Sequence, residues 1–143
     1  MNAVDTNVLV YFADADEPLK QQVAKQLLSD LRRSAAEPML LWQVAAEFLN
    51  CLRRWEFTGR IARAETLRLF EQIEASYELV LPTRTVIHTA LDLNARYSLS
   101  HWDSFLVAAC IEAGVTTLYS EDMADGADYD GVRVVNPFRN PVS

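Results

Sequence analysis

Short apolar runs alternate along this chain with longer segments of helical periodicity. The runs that predict strands are residues 2–5, 38–42, 77–82, 116–120 and 132–135. The segments in which apolar residues recur every three to four positions, as on one face of a helix, are 17–35, 43–56, 60–77, 84–97 and 102–113. Strands separated by helices form βαβ units, so the pattern predicts an α/β fold with a parallel sheet covered on both faces.

Capping and turn residues mark several helix ends. Asp16 is a candidate N-cap for segment 17–35, and Pro18 fits the first turn of that helix. Gly114 follows segment 102–113 and is typical of a helix C-terminus. The apolar residues of the first helical segment are spaced four apart, which predicts one apolar face made of Leu19, Val23, Leu27, Leu31 and Ala35.

A polar interruption stands out near the start of the chain. Residues 3–12 read AVDTNVLVYF, in which Asp5, Thr6 and Asn7 separate two apolar flanks. Burial of a carboxylate costs free energy unless it is paired or hydrogen-bonded. Asp5 ends the first predicted strand, at the edge of the sheet where α/β proteins bind ligands. Its purely structural alternative is the N-cap of a helix that begins at Thr6 or Asn7.

Three further acids lie close to predicted strand ends. Glu47 follows the second strand by one helical turn and has apolar neighbours and no basic residue at i±3 or i±4, which indicates a buried carboxylate in need of a cation. Asp103 begins a helix, and Asp122 follows the strand 116–120. Their structural alternatives are the edge of a helix face for Glu47, a capping box with Ser100 for Asp103 and a turn acid for Asp122. Glu121 is expected to face solvent.

Four carboxylates gathered at one edge of a sheet would repel each other, and a hard cation removes that repulsion. Mg²⁺ and Mn²⁺ are the natural candidates, since the set contains oxygen ligands and no thiolate or imidazole. An ion of this kind activates water and offsets charge on a phosphodiester. The four acids therefore indicate phosphoryl chemistry.

Composition narrows the class of protein. With 143 residues, half of them hydrophobic, the chain is expected to form one domain over residues 1–143. No apolar stretch approaches the ~18 residues of a membrane span, and the N-terminus lacks the basic region of a signal peptide, so we expect a soluble cytoplasmic protein without a membrane partner. Cys51 and Cys110 lie in helical segments without metal-binding spacing and are expected to be buried and reduced.

The basic residues are few but unevenly distributed. A net charge of −7 argues against a general nucleic-acid binder. All but two of the basic residues are arginines, and many fall between positions 32 and 68. Arg53, Arg54 and Arg60 are candidates for contact with a nucleic-acid backbone. The alternative is that these arginines and Arg63 are solvated or pair with Glu56 and Glu65.

Several stretches together resemble one known family, the PIN-domain proteins. They are VDTNVLVYF at the N-terminus, the isolated Glu47, WDSFLVAACIEAG at 102–114, LYSEDM at 118–123 and GVRVVNPF at 131–138. More narrowly, the set is similar to the VapC-type toxins of type II toxin–antitoxin pairs. The resemblance covers essentially the whole chain in the right order. It implies a three-layer α/β/α fold with a mainly parallel sheet and a Mg²⁺- or Mn²⁺-dependent endoribonuclease.

The resemblance also implies roles for individual residues and partners. Asp5, Glu47 and Asp103 correspond to metal-binding acids, and Asp122 to the usual fourth acid. Thr6 and Asn7 match the polar pair after the first Asp, and Ser120 matches a residue that supports the site. The sequence SED stands where the family often has TxD, which keeps Glu121 as an alternative to Asp122. An RNA substrate, a cognate antitoxin, a homodimer and cytoplasmic residence are further expectations.

Three other classes of protein compete with this interpretation. A phosphorylated receiver module needs a lysine at the end of a late strand, and both lysines of this chain lie in segment 17–35. A phosphatase with an aspartyl nucleophile needs D-x-D at the first strand, and Asn7 occupies its second acidic position. A PIN-fold protein that binds nucleic acid or a partner without catalysis remains the alternative.

Overall fold

The computed structural model describes residues 1–35 and 38–139, and the elements below belong to these ranges. The strands are β1 (Asn2–Val4), β2 (Pro38–Leu41), β3 (Glu78–Val80), β4 (Thr117–Tyr119), β5 (Asp128–Tyr129) and β6 (Val132–Val135). The helices are α1 (Thr6–Ala13), α2 (Pro18–Arg33), α3 (Trp42–Phe57), α4 (Arg63–Ser76), α5 (Arg84–Tyr97) and α6 (His101–Glu112).

The strands form one sheet in the order β3-β2-β1-β4-β6-β5. Every neighbouring pair is parallel except β5 and β6, which are antiparallel. Ala3 of β1 pairs with Met39 of β2 on one side and with Leu118 of β4 on the other. The carboxyl ends of β1, β2 and β4 therefore meet at one edge, which positions the residues that follow them close together.

Helices cover both faces of this sheet. Successive residues of a strand point to opposite faces, and Ala3 and Val4 of β1 are both buried, as are Leu40 and Leu41 of β2. The first group contains α1 to α4: α1 packs on α2 and α3, and α3 packs on α4. The second group contains α5 and α6, which pack on each other, and α6 contacts β2 and β6. The prediction of a three-layer α/β/α fold with a mainly parallel sheet is confirmed.

One element is only an alternative in the sequence-based assignment, and another is absent from it. The stretch after Asp5 forms α1, whose apolar run of about two turns is too short for periodicity to separate a helix from a strand. The strand β5 has only two residues and an acidic start, so no hydrophobic pattern marks it.

The start of α2 differs from the prediction. Its N-cap is Glu17 and not Asp16, because a turn from Asp14 to Glu17 precedes the helix and the side chain of Asp14 accepts the backbone N–H of Asp16. Pro18 occupies the first turn, as predicted. The buried face is also shifted. Leu19 is 79% exposed, whereas the buried residues of α2 are Ala24, Leu28 and Leu31.

The expectation that both cysteines are buried is confirmed. Both Cys51 and Cys110 are buried and free. Over residues 1–35 and 38–139, the model contains no helix whose length and apolar character would let it cross a bilayer.

Candidate metal centre

The centre of the site is the junction between the ends of β1 and β4. Asp5 follows β1 and donates its backbone N–H to the carbonyl of Tyr119 at 2.8 Å. The hydroxyl of Ser120 donates to Oδ2 of Asp5 at 2.7 Å, and Oδ1 accepts the backbone N–H of Thr6 at 2.7 Å. Asp5 therefore caps α1, as its structural alternative predicted, while both of its carboxylate oxygens are held in place.

The environment of Asp5 disfavours its negative charge. The side chain is 8% exposed, and burial raises the pKa of its carboxyl group to about 6. The hydrogen bonds from Ser120 and Thr6 lower this pKa, and the charges of Glu47 and Asp122 raise it. Glu47 and Asp122 are thus close enough to disfavour the charge of Asp5, and a positive charge placed beside Asp5 would be stabilised.

Glu47 reaches the site from α3. Its Oε1 accepts a hydrogen bond of 3.0 Å from the hydroxyl of Thr6. The prediction that Glu47 is buried is wrong: its side chain is exposed. Val44 and Phe48, on the inward face of α3, enter the core, and Glu47 lies at the edge of that face, which agrees with its structural alternative.

Asn7 connects α1 with the turn after β4. Its Nδ2 donates to Oδ2 of Asp122 at 3.2 Å and to the hydroxyl of Ser120 at 3.5 Å. Its Oδ1 accepts the backbone N–H of Glu121 at 3.3 Å, and the backbone N–H of Asp122 donates to Ser120 Oγ at 3.2 Å. Asp122 is exposed, but its carboxylate accepts the hydrogen bond from Asn7, and its negative charge raises the pKa of Asp5.

Glu121 points elsewhere. Its carboxylate lies 2.5 Å from the ammonium of Lys20, and its side chain is only 25% exposed, so the expectation that it faces solvent is wrong. Sequence reasoning considered Lys20 only as a residue missing from a late strand. Its position on α2, far from the SED motif in the chain, gave no signal of this contact.

Asp103 lies in the first turn of α6 and is half-buried. Its backbone N–H donates to the hydroxyl of Ser100, the N-cap, at 3.2 Å. Within the described chain, it is not joined to the hydrogen-bonded network that links Asp5 with Glu47 and Asp122. As the side chains stand, residues 1–35 and 38–139 contain no group of three or more Asp, Glu, His or Cys that could hold an ion.

The chemistry of the donors nevertheless suits a hard divalent cation. Carboxylate, hydroxyl and amide oxygens surround the end of β1, and both cysteines and their thiols are buried in the core. Such oxygen donors favour Mg²⁺ and Mn²⁺ over softer metals. A divalent ion bound to Asp5 would favour its charged carboxylate, against the burial and the acidic neighbours that raise its pKa.

The three candidate arginines are placed differently. The guanidinium of Arg60 pairs with Asp14 and, at 3.0 Å, with Asp16, and it lies 4.1 Å from the ring centroid of Trp55. Arg53 and Arg54 are exposed on α3. Among the neighbouring arginines, Arg63 pairs with Glu56 at 3.6 Å, as the structural alternative predicted, and Arg68 pairs with Glu65.

An apolar groove lies beside the acids. It has a volume of about 940 Å³ and runs between the start of α3, the loop before α5 and the face of α6. Its lining includes Glu47 and several exposed apolar side chains, among them Trp42, Leu81, Ile87 and Trp102.

Comparison with known proteins gives one family. The PIN domain family model matches residues 3–124. No curated protein matches the sequence.

Three solved structures have a similar fold. A toxin–antitoxin complex from Klebsiella pneumoniae is 17% identical with a TM-score of 0.70, and the match covers 96% of this chain and 98% of that one. VapC20 from Mycobacterium tuberculosis, a sarcin-ricin loop cleaving toxin, is 17% identical with a TM-score of 0.66 and coverages of 85% and 90%. PAE2754 from Pyrobaculum aerophilum is 17% identical with a TM-score of 0.62 and coverages of 94% and 88%.

Proposed function

The chain belongs to the PIN domain family, and from this premise we propose that it is a metal-dependent endoribonuclease, the VapC-type toxin of a type II toxin–antitoxin pair. One observation carries the proposal above all. Asp5 is a buried carboxylate at the carboxyl end of β1, and Glu47 and Asp122 lie close enough to raise its pKa. A buried carboxylate whose pKa is raised is typical of functional sites, and a bound cation would stabilise its charged form.

Four acids would hold Mg²⁺ or Mn²⁺: Asp5, Glu47, Asp103 and Asp122. The ion would supply a Lewis acid that lowers the pKa of water and offsets the charge of an RNA phosphodiester. Ser120 and Thr6 orient Asp5 and Glu47 through the hydrogen bonds that they donate, and Asn7 orients Asp122. Asp103 would be the fourth ligand, supplied from the first turn of α6.

We propose that Arg53 and Arg54, exposed on α3, contact the RNA backbone. Arg60 can do so only by giving up its pairs with Asp14 and Asp16. The net charge of −7 makes local arginines necessary, because the chain as a whole repels phosphate.

The partners follow from the same premise. A cognate antitoxin and a second copy of the chain would bind in the cytoplasm. In support of a homodimer, the groove beside α5 exposes Leu81, Ile87 and Trp102 by 62%, 55% and 63%, and clustered apolar side chains on a monomer mark association surfaces. The solved complex from Klebsiella pneumoniae, a toxin–antitoxin complex of similar fold, supports an antitoxin partner.

Cleavage of total cellular RNA tests the proposal. Wild type, Asp5→Asn and the control Glu71→Gln, an exposed acid on α4, are compared with Mg²⁺, with Mn²⁺ and with EDTA. We expect discrete fragments from wild type and Glu71→Gln with metal, and none from Asp5→Asn or with EDTA. Equal cleavage by Asp5→Asn, or no cleavage by a folded wild type with either metal, would overturn the proposal and favour a PIN-fold protein that binds without catalysis.

A further inference from the structure

Lys20 contacts Glu121 in the turn after β4. Projecting from α2, its ammonium contacts Glu121 at 2.5 Å and donates to the phenol oxygen of Tyr11 at 3.1 Å. It also lies 4.6 Å from the ring centroid of Tyr11 and 5.9 Å from that of Phe138. The two rings meet edge to face at 4.9 Å, so that α1, α2 and the segment after β6 together enclose the ammonium.

This ion pair is partly shielded from solvent and is flanked by two aromatic rings. The side chains of Lys20 and Glu121 are 36% and 25% exposed, and aromatic rings add attraction to the ammonium. The carboxylate of Glu121 is therefore held on the side of α2.

The carboxylates of Glu121 and Asp122 have different partners, Lys20 and Asn7. The backbone N–H of Glu121 donates to Asn7, and that of Asp122 donates to Ser120, so both residues of the turn are fixed through the backbone. With Glu121 held by Lys20, the carboxylate at Asn7 Nδ2 is that of Asp122. If the ion pair were absent, two adjacent carboxylates would compete for the same neighbourhood.

We propose that Lys20 is a positioning residue of the metal centre, which withholds Glu121 from the bound ion and commits Asp122 to it. The inference rests on the proposed function, since it treats Asp122 as a ligand. Lys20 would act on the ion through Glu121 and Asp122, and would touch neither the ion nor the RNA.

Mn²⁺ binding, measured by isothermal titration calorimetry, tests the inference without any substrate. In the wild-type background, we expect Asp122→Asn to weaken Mn²⁺ binding about tenfold and Glu121→Gln to change it less than about twofold. In the Lys20→Met background, we expect the effect of Glu121→Gln to rise to about fivefold or more and the effect of Asp122→Asn to shrink, because the two acids then share the position. Lys20→Arg should restore the wild-type pattern.

Two controls separate positioning from other effects of the substitution. Lys25→Met removes the other lysine, which is exposed on the same helix, and should leave both effects unchanged. In metal-free protein, Lys20→Met should shift the amide resonances of Glu121 and Asp122, and Lys20→Arg should not. If Lys20→Met fails to fold, Tyr11→Phe removes one partner of the ammonium and should change the two effects in the same direction by a smaller factor.

The outcomes are distinct. Suppose that, in the Lys20→Met background, Glu121→Gln leaves Mn²⁺ affinity unchanged while Asp122→Asn weakens it as much as in wild type. That result would overturn the inference and leave the proposed metal centre intact. If Lys20→Met changes the Mn²⁺ affinity by the same factor whichever residue stands at 121 or 122, the inference is also overturned. Such a change would report only the lost charge of Lys20. A folded wild type that binds no Mn²⁺ would overturn both the inference and the proposed function.

Discussion

The hydroxyl of Ser120 donates to Oδ2 of Asp5 at 2.7 Å, across a separation of 115 positions in the chain. Both side chains are buried, and the bond joins the ends of the neighbouring strands β1 and β4. The other carboxylate oxygen accepts the backbone N–H of Thr6. The orientation of Asp5 is therefore fixed by the fold itself.

Ser120→Ala tests this relationship. The substitution leaves a buried carboxylate oxygen without its donor, so we expect the free energy of unfolding at neutral pH to fall by about 1–3 kcal/mol. Urea denaturation in the presence of EDTA measures the loss, with the exposed Ser29→Ala on α2 as control. A loss no larger than that of the control would mean that the hydroxyl does not support Asp5.

Asp5→Asn is expected to stabilise the metal-free protein at neutral and higher pH. The pKa of Asp5 is raised from 3.8 to about 6, so the folded state prefers the protonated carboxyl, and stability is lost as the pH rises from 3.8 through 6. Asn is neutral throughout and still caps a helix well. The gain, at most about 3 kcal/mol at pH 8, should shrink to nearly nothing at pH 4.

Urea denaturation of both proteins at pH 4, 6 and 8 in EDTA measures this difference. Glu71→Gln, which removes an exposed carboxylate, should show no such dependence on pH. A variant less stable than wild type at pH 8 would contradict the assigned electrostatic cost of Asp5.

Arg60 and Arg53 should separate stability from RNA binding. Arg60→Ala breaks pairs with Asp14 and Asp16 and the contact with Trp55, and we expect a loss of about 1 kcal/mol in the free energy of unfolding. Arg53→Ala, on an exposed part of α3, should change stability by less than about 0.5 kcal/mol. It should weaken RNA binding and reduce its dependence on salt, as measured by fluorescence anisotropy at several salt concentrations. A larger loss of stability from Arg53→Ala than from Arg60→Ala, without weaker RNA binding by Arg53→Ala, would refute the proposed roles.

Ile87→Asp should disrupt the proposed homodimer. Ile87 is 55% exposed and lines the apolar groove, so a charge there opposes association without disturbing the core. Light scattering after size exclusion should report a dimer for wild type and a monomer for the variant. Leu67→Asp, at a 48% exposed position on α4, is the control and should stay dimeric. A monomeric wild type would exclude the homodimer.

The fold could be predicted largely from sequence because its repeating pattern is local. Apolar runs and helical segments follow each other in the order that the structure shows for β1 to β4, β6 and α2 to α6. What local pattern could not predict depends on residues far apart. Asp16 is not the N-cap of α2, because a turn begins at Asp14 and the carboxylate of Asp16 pairs with Arg60. Glu47 is exposed because the orientation of α3 on the sheet, and not its own neighbours, decides its burial.

The candidate site was predictable to a similar extent. Residues that follow parallel strands must meet at one edge of the sheet, which brings the ends of β1 and β4 together. The choice between Glu121 and Asp122 could not be made from the SED motif, since the partner of Glu121 comes from α2. Only the packing of three separate segments around Lys20 distinguishes the two acids.

The position of β1 in the sheet also sets the order in which the protein can mature during synthesis. The first strand of the chain lies between β2 and β4, and Asp5 gains its buried donor only from Ser120. A ribosome must therefore release most of the chain before β1 has both of its neighbours. A nascent copy of this chain therefore lacks the buried donor that orients Asp5 until β4 and Ser120 have left the ribosome.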